Sequence, residues 1–184
     1  MTTGRAAARA AAAEALAADP VSFGRELCLR ALTAAPRTQG ELAQAMRRKG
    51  VPDDAVAEVL RRLGAAGLVD DASFADAWVA SRHGGRGLAR RALAGELHRR
   101  GVDADLVRSA LTQVDDEDEV VAATALVRRR LAGTAGLPMP TRVRRLSSML
   151  ARKGYSAAVA GRVVREALGA EAAELLGAAD TRSL

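Results

Sequence analysis

Three segments of the chain repeat one pattern of apolar and polar positions: ELAQAMRRKGVPDDAVAEVLRRL from Glu41, ALAGELHRRGVDADLVRSALTQV from Ala92, and RLSSMLARKGYSAAVAGRVVREAL from Arg145. Aligned on Gly50, Gly101 and Gly154, they are spaced by 51 and 53 residues. Four and eight positions before each glycine the residue is apolar: Leu42 and Met46, Leu93 and Leu97, Leu146 and Leu150. That is the spacing of one helix face. Two basic residues then lead into the glycine: Arg48 and Lys49, Arg99 and Arg100, Arg152 and Lys153. Cations suit the negative end of a helix, and glycine suits the left-handed residue that closes it.

After each glycine and one apolar residue stands Pro52, Asp103 or Ser156, each a helix starter. A second periodic stretch follows, with Val56, Val59, Leu60 and Leu63 matched by Val107, Ala110, Leu111 and Val114, and by Ala160, Val163, Val164 and Ala167. Upstream of each pair lies a further helical stretch: Arg25 to Leu32, Phe74 to Ser81, and Val120 to Leu131. Pro36, the glycines 84, 85 and 87, and the segment from Gly133 to Pro140 break the first helix from the second. The expected fold is all-α, with three tandem repeats of a three-helix unit: 25–70, 71–115 and 116–170. Units this small bury little surface alone, so each should lean on its neighbour and form an elongated row. Residues 1–24 read as an Ala-rich low-complexity tail, either a frayed helix or disordered chain, and 171–184 as a C-terminal tail.

Composition supports helices. Hydrophobic residues make up 49% of the 184 residues but aromatics only 2%, so Ala, Leu and Val carry the apolar fraction, and no alternating β-type run appears. The lone Cys28 leaves no internal disulfide and fits a reducing cytosol. No stretch of eighteen apolar residues exists and the start lacks the apolar core of a signal peptide, so neither membrane nor export is expected. There is no HExxH, no GxxxxGK[ST], and only His83 and His98 among histidines. Catalysis, a cofactor, a bound metal and a small-molecule substrate are therefore not expected.

Charge changes the picture more. The net charge is +6, and Lys49 and Lys153 are the only lysines. Between Arg82 and Arg100 stand Arg82, Arg86, Arg90, Arg91, Arg99 and Arg100 against the single Glu96. From Val120 through Arg165 there is no acid, and the ten basic residues include Arg128, Arg129, Arg130, Arg142, Arg144, Arg145, Arg152 and Lys153. These fourteen residues form the candidate phosphate-facing surface. On a helical wheel Arg91 and Arg144 fall opposite their leucine stripes, where copy one has Gly40. The competing reading is a solvated face, with Glu96 pairing to Arg100 and Glu58 to Arg62. The run Asp115 to Glu119 reads as a helix N-terminus at the boundary between units.

Taken together, these segments resemble the RecX family, regulators of the RecA recombinase, from Arg25 to Leu168. In copy one the likeness rests on RTQGELAQAMRRKGV and LRRLGAAGLVDDASFADAWVASR, with Thr38, Glu41, Leu42, Gly67, Leu68, Val69, Asp70, Asp71, Phe74 and Ala75 at the motif positions. In copy two it rests on SRHGGRGLARRALAGELHRRGV, with Arg82, Arg86, Gly87, Glu96, Leu97, Arg100 and Gly101. Leu88 departs from the pattern, where many members carry Pro, and implies a changed helix start. The resemblance implies an elongated, curved, helical protein lying in the groove of the RecA filament on single-stranded DNA, and a cytoplasmic monomer is expected. There it would restrain ATP hydrolysis, strand exchange and filament growth. The alternative is an autonomous helical protein that binds the backbone of DNA or RNA.

Overall fold

The computed structural model describes residues 2–180; Met1 and the last four residues of the expected C-terminal tail lie outside it. Among the described residues ten α-helices follow one another: α1 Thr2–Ala18, α2 Pro20–Ala34, α3 Gln39–Arg47, α4 Asp53–Ala65, α5 Asp71–Arg86, α6 Arg90–Arg99, α7 Ala104–Ala110, α8 Asp116–Leu131, α9 Met139–Arg152 and α10 Ala157–Asp180. Short 3-10 turns extend α7 and α8 at Leu111–Gln113 and Ala132–Thr134. No strand occurs among the described residues. From α2 onward the helices fall into three triplets, so the fold is all-α with a repeated three-helix unit.

Each triplet is punctuated as its sequence dictates. Gly50, Gly101 and Gly154 take φ of +84°, +77° and +94°. The amide after each glycine donates back across the turn, Val51 to Met46, Val102 to Leu97 and Tyr155 to Leu150, each at 3.2 Å. This is the six-residue closure that ends a helix on a left-handed glycine. Helix starts are capped as well. Asp19 accepts from the amides of Val21 and Ser22 with Pro20 in the first turn, and Thr38 with Glu41 makes a reciprocal capping box. Asp115 and Asp118 form the same box at the head of α8, so the acidic run does open a helix.

Within the expected N-terminal tail, residues 2–18 form a helix and part of the segment packs on the first core. The core helix α2 opens at Pro20, five residues before the expected Arg25, because Asp19 is the better cap. Gly24 is buried, and Leu16 of α1 packs on the first core beside Val21 and Phe23. At the other end α10 continues through residue 171 to Asp180, where a tail was expected.

The chain divides into two compact units. One comprises residues up to Ala75 with Leu97–Val107, the other Asp76–Glu96 with Arg108 onward. The first is built on Cys28, Leu42, Met46, Val56, Val59 and Leu63. The core of the second is Leu126, Val127, Leu146, Leu150, Tyr155 and Val163 with their neighbours. Each large side chain sealed in this way contributes roughly 1.5–3 kcal/mol relative to exposure.

Candidate nucleic-acid interface

Within each unit the same docking arrangement recurs between consecutive repeats. In the first unit the amide of Gln39, at the start of α3, donates to Asp71 Oδ1 at 2.9 Å. In the second the amide of Arg90, at the start of α6, donates to Glu119 Oε1 at 2.7 Å. Both acceptors sit near the head of the next repeat's first helix. The residue one position earlier then reaches the carbonyl just before the next repeat's glycine: Thr38 Oγ1 donates to Arg100 O at 2.5 Å, and the Ala89 amide to Lys153 O at 2.9 Å.

These joints leave no room for side chains. A Cβ on Gly40 would lie 2.8 Å from Gly101 Cα, and one on Gly154 would lie 2.7 Å from the Ala92 nitrogen. Gly40 therefore answers to the close approach of Gly101, a reason that comparing the copies by charge does not reveal. Burial holds the Asp71 carboxyl above its ordinary range, because losing water opposes its charge more than the Gln39 amide favours it.

The joints and cores recruit five of the fourteen candidate residues. Arg100 donates to Glu41 Oε1 at 2.5 Å and lies over the ring of Phe74. Arg90 bonds Asp116 and stands 3.6 Å from Glu119. Arg82 stacks 4.1 Å above Trp78 and lies 3.9 Å from Glu96. Lys153 Nζ donates to Arg86 O at 2.6 Å. Arg142, expected on the basic surface, is instead buried: its Nε donates to Thr134 Oγ1 and its Nη2 to Glu171 at 2.5 Å. Its position on the wheel turns it toward α10, whose continuation past residue 170 sequence periodicity did not bring into view.

Glu96 likewise departs from expectation. It accepts from Trp78 Nε1 at 2.8 Å rather than pairing with Arg100, since Glu41 holds that guanidinium. The other expected pair is present: Glu58 binds Arg62 and also Arg61, and these hydrogen bonds hold its carboxyl down at about 2.

The remaining nine residues, Arg86, Arg91, Arg99, Arg128, Arg129, Arg130, Arg144, Arg145 and Arg152, are exposed and make no ion pair among the described residues. The wheel positions of Arg91 and Arg144 are thus outward. Positive charge is dense where the second unit carries most of these groups. Burial first, and then the fields of Arg129, Arg86 and Arg130, lower the pKa of Lys153 below its ordinary value. Such a surface attracts polyanions. Among the described residues no cluster of His, Cys, Asp and Glu is suited to a metal, and no helix is long and apolar enough to cross a membrane.

Sequence reading placed Asp71 in the family motif and Glu119 in the acidic run at a helix start, but did not see either as the carboxylate that caps the preceding repeat. An available signal was an acid near the head of each later unit's first helix.

Comparison with known proteins accounts for this architecture. Residues 25–63 match the family model for the first three-helix domain of RecX, and residues 70–111 match that for the second. The chain is 56% identical over 157 residues to "Regulatory protein RecX" of Thermobifida fusca, covering 85% of each protein. It is 54% identical over 150 residues to the protein of the same name from Streptomyces coelicolor, covering 82% of this chain and 80% of that one. The crystal structure of RecX from Lactobacillus salivarius superposes with a TM-score of 0.71 at 20% identity, over 81% of this chain and 97% of that one. With the repeat, its capping chemistry and these relatives in agreement, the chain belongs to the RecX family of regulatory proteins.

Proposed function

We propose that this protein regulates the RecA recombinase, mainly as an inhibitor, by binding in the groove of the RecA filament on single-stranded DNA. It acts there as a cytoplasmic monomer and lowers ATP hydrolysis, strand exchange and filament growth. The observation that carries this reading is the 56% identity to a RecX regulatory protein across 85% of the chain. The exposed, unpaired arginines support it, because they suit a partner rich in phosphate. A repeated unit can meet successive protomers of a helical assembly, and linked weak contacts add through effective concentration.

The test adds the protein substoichiometrically to RecA on single-stranded DNA while ATP hydrolysis is followed. A fall in rate is expected. An unchanged rate together with tight binding to naked DNA would favour an autonomous nucleic-acid-binding protein. Reversing Arg91 and Arg144 to Glu should weaken filament binding with helicity intact, and undiminished binding would remove the basic surface from the contact.

A further inference from the structure

A cleft of about 500 Å³ opens between the end of α8 and one face of α9, lined by Arg130, Arg144, Arg145 and Arg152 with Ser148 and Met149. None of the four guanidinium groups meets a carboxylate among the described residues, and no acid lines the cleft. Two neighbouring clefts differ in this respect. One carries Glu166 and Glu171 beside Arg128, and the other Asp116 and Glu119 beside Arg90 and Arg162, so each is largely neutralised from within.

Geometry adds to charge. Arg144, Ser148 and Arg152 follow at intervals of four, one stripe along α9. From Arg144 to Arg152 the helix rises about 12 Å, so the two guanidinium stems can meet different phosphates of one strand. The cleft is also held in shape. Thr134 in its wall donates to Leu131 O at 2.7 Å and accepts from the buried Arg142, which Glu171 fixes from α10. The guanidinium stems therefore stand on a braced floor.

We propose that this cleft seats the phosphodiester backbone of a single strand, with Arg130, Arg144, Arg145 and Arg152 as its contacts. This rests on the reading of the protein as a regulator of a nucleoprotein filament and locates the phosphate contact in the third repeat. No aromatic side chain lines the cleft, so it offers bases no stacking platform and reads backbone without sequence preference. Its volume is that of a small-ligand pocket, enough to take a few phosphates of one strand.

The experiment measures binding of the full chain to labelled oligo(dT), to a duplex of equal length and to poly-glutamate across a salt series. The wild type should prefer oligo(dT). Changing Arg130, Arg144, Arg145 and Arg152 together to Gln should lower oligo(dT) affinity at least about tenfold at low salt. It should also flatten the plot of log affinity against log salt by about 2.8, at roughly 0.7 for each lost contact. A charge-matched control, Arg25→Gln, Arg48→Gln, Lys49→Gln and Arg162→Gln, should keep the slope and stay within about threefold, since generic charge alone carries no localised contact. The double change Arg144→Gln with Arg152→Gln should flatten the slope by about half as much, which keeps the test decisive if the quadruple variant folds poorly.

Equal losses in cleft and control variants, an undiminished affinity in the cleft variant, a preference for duplex, or loss of poly-glutamate binding alone would each overturn the assignment. Failure of the regulatory reading has a different signature: wild-type protein leaves RecA ATP hydrolysis unchanged. A regulator that slows RecA while its cleft variant still holds oligo(dT) normally would sink the cleft and spare the function.

Discussion

The phenol of Tyr155 donates to the carbonyl oxygen of Gly87 at 3.0 Å, tying the residue after the third glycine turn to the break between α5 and α6. Both groups are buried, and burial pushes the phenol up to about 12. Gly87 itself has φ of +58°, and a Cβ there would touch the side chain of Leu126 at 3.0 Å. Removing the hydroxyl leaves a carbonyl without its partner in a dry place. Tyr155→Phe should therefore cost about 1–2 kcal/mol in urea unfolding with little change in m-value. A cost near zero would mean that water reaches the Gly87 carbonyl.

The three turn glycines should tolerate alanine unequally. At Gly50 an added Cβ meets only Leu16 at 3.5 Å, so the penalty is that of the left-handed backbone, about 1 kcal/mol. At Gly101 and Gly154 the same methyl group would stand 2.9 Å from Gly40 Cα and 2.7 Å from the Ala92 nitrogen. Backbone cannot swing aside as a leucine can. These two variants should lose at least about 2–3 kcal/mol, and equal denaturation midpoints for all three would count against the docking arrangement.

Arg142 and Arg144 are separated by two positions and should behave oppositely. Arg142→Ala abandons Glu171 and Thr134 in a largely buried pocket and should destabilise by about 3 kcal/mol. Arg144→Ala, from an exposed and unpaired side chain, should change stability by less than about 0.5 kcal/mol while weakening oligo(dT) binding. Thermal melts paired with binding isotherms would separate the two, and a shared phenotype would contradict the division between internal and outward arginines.

Alkaline conditions should expose the burial of Cys28. Burial raises its thiol from 9.0 to about 11, and the folded chain keeps the proton that the unfolded chain releases. Stability from this group is thus complete below pH 9.0 and declines as pH rises toward 11. The loss is on the order of 2–3 kcal/mol, and Cys28→Ala should abolish that portion. Identical alkaline stability curves for variant and wild type would show that the thiol already ionises in the folded protein.

Helix faces, glycine stops and polar starts were legible in the sequence because they are set by neighbours within one or two turns. Leu93 and Leu97, Gly101 and Asp115 needed nothing distant to declare themselves. What escaped was the division of the arginines. Arg142 and Arg144 look alike in a charge count, and only the course of α10 past residue 170 makes one internal. Glu96 shows the same limit, for its partner Trp78 lies eighteen residues away on another helix. Asp71 and Glu119 act on amides 32 and 29 residues upstream, beyond the reach of periodicity.

Counted back from the glycine, Thr38 and Ala89 occupy the position that receives the following repeat, and in the third repeat that position is Arg142. There α9 begins a turn earlier, and the side chain meets Glu171 from the protein's own last helix. The receiving end of the third repeat is thus closed by its own chain. Docking a further three-helix unit there as the first two joints do would first require undoing the Arg142–Glu171 pair.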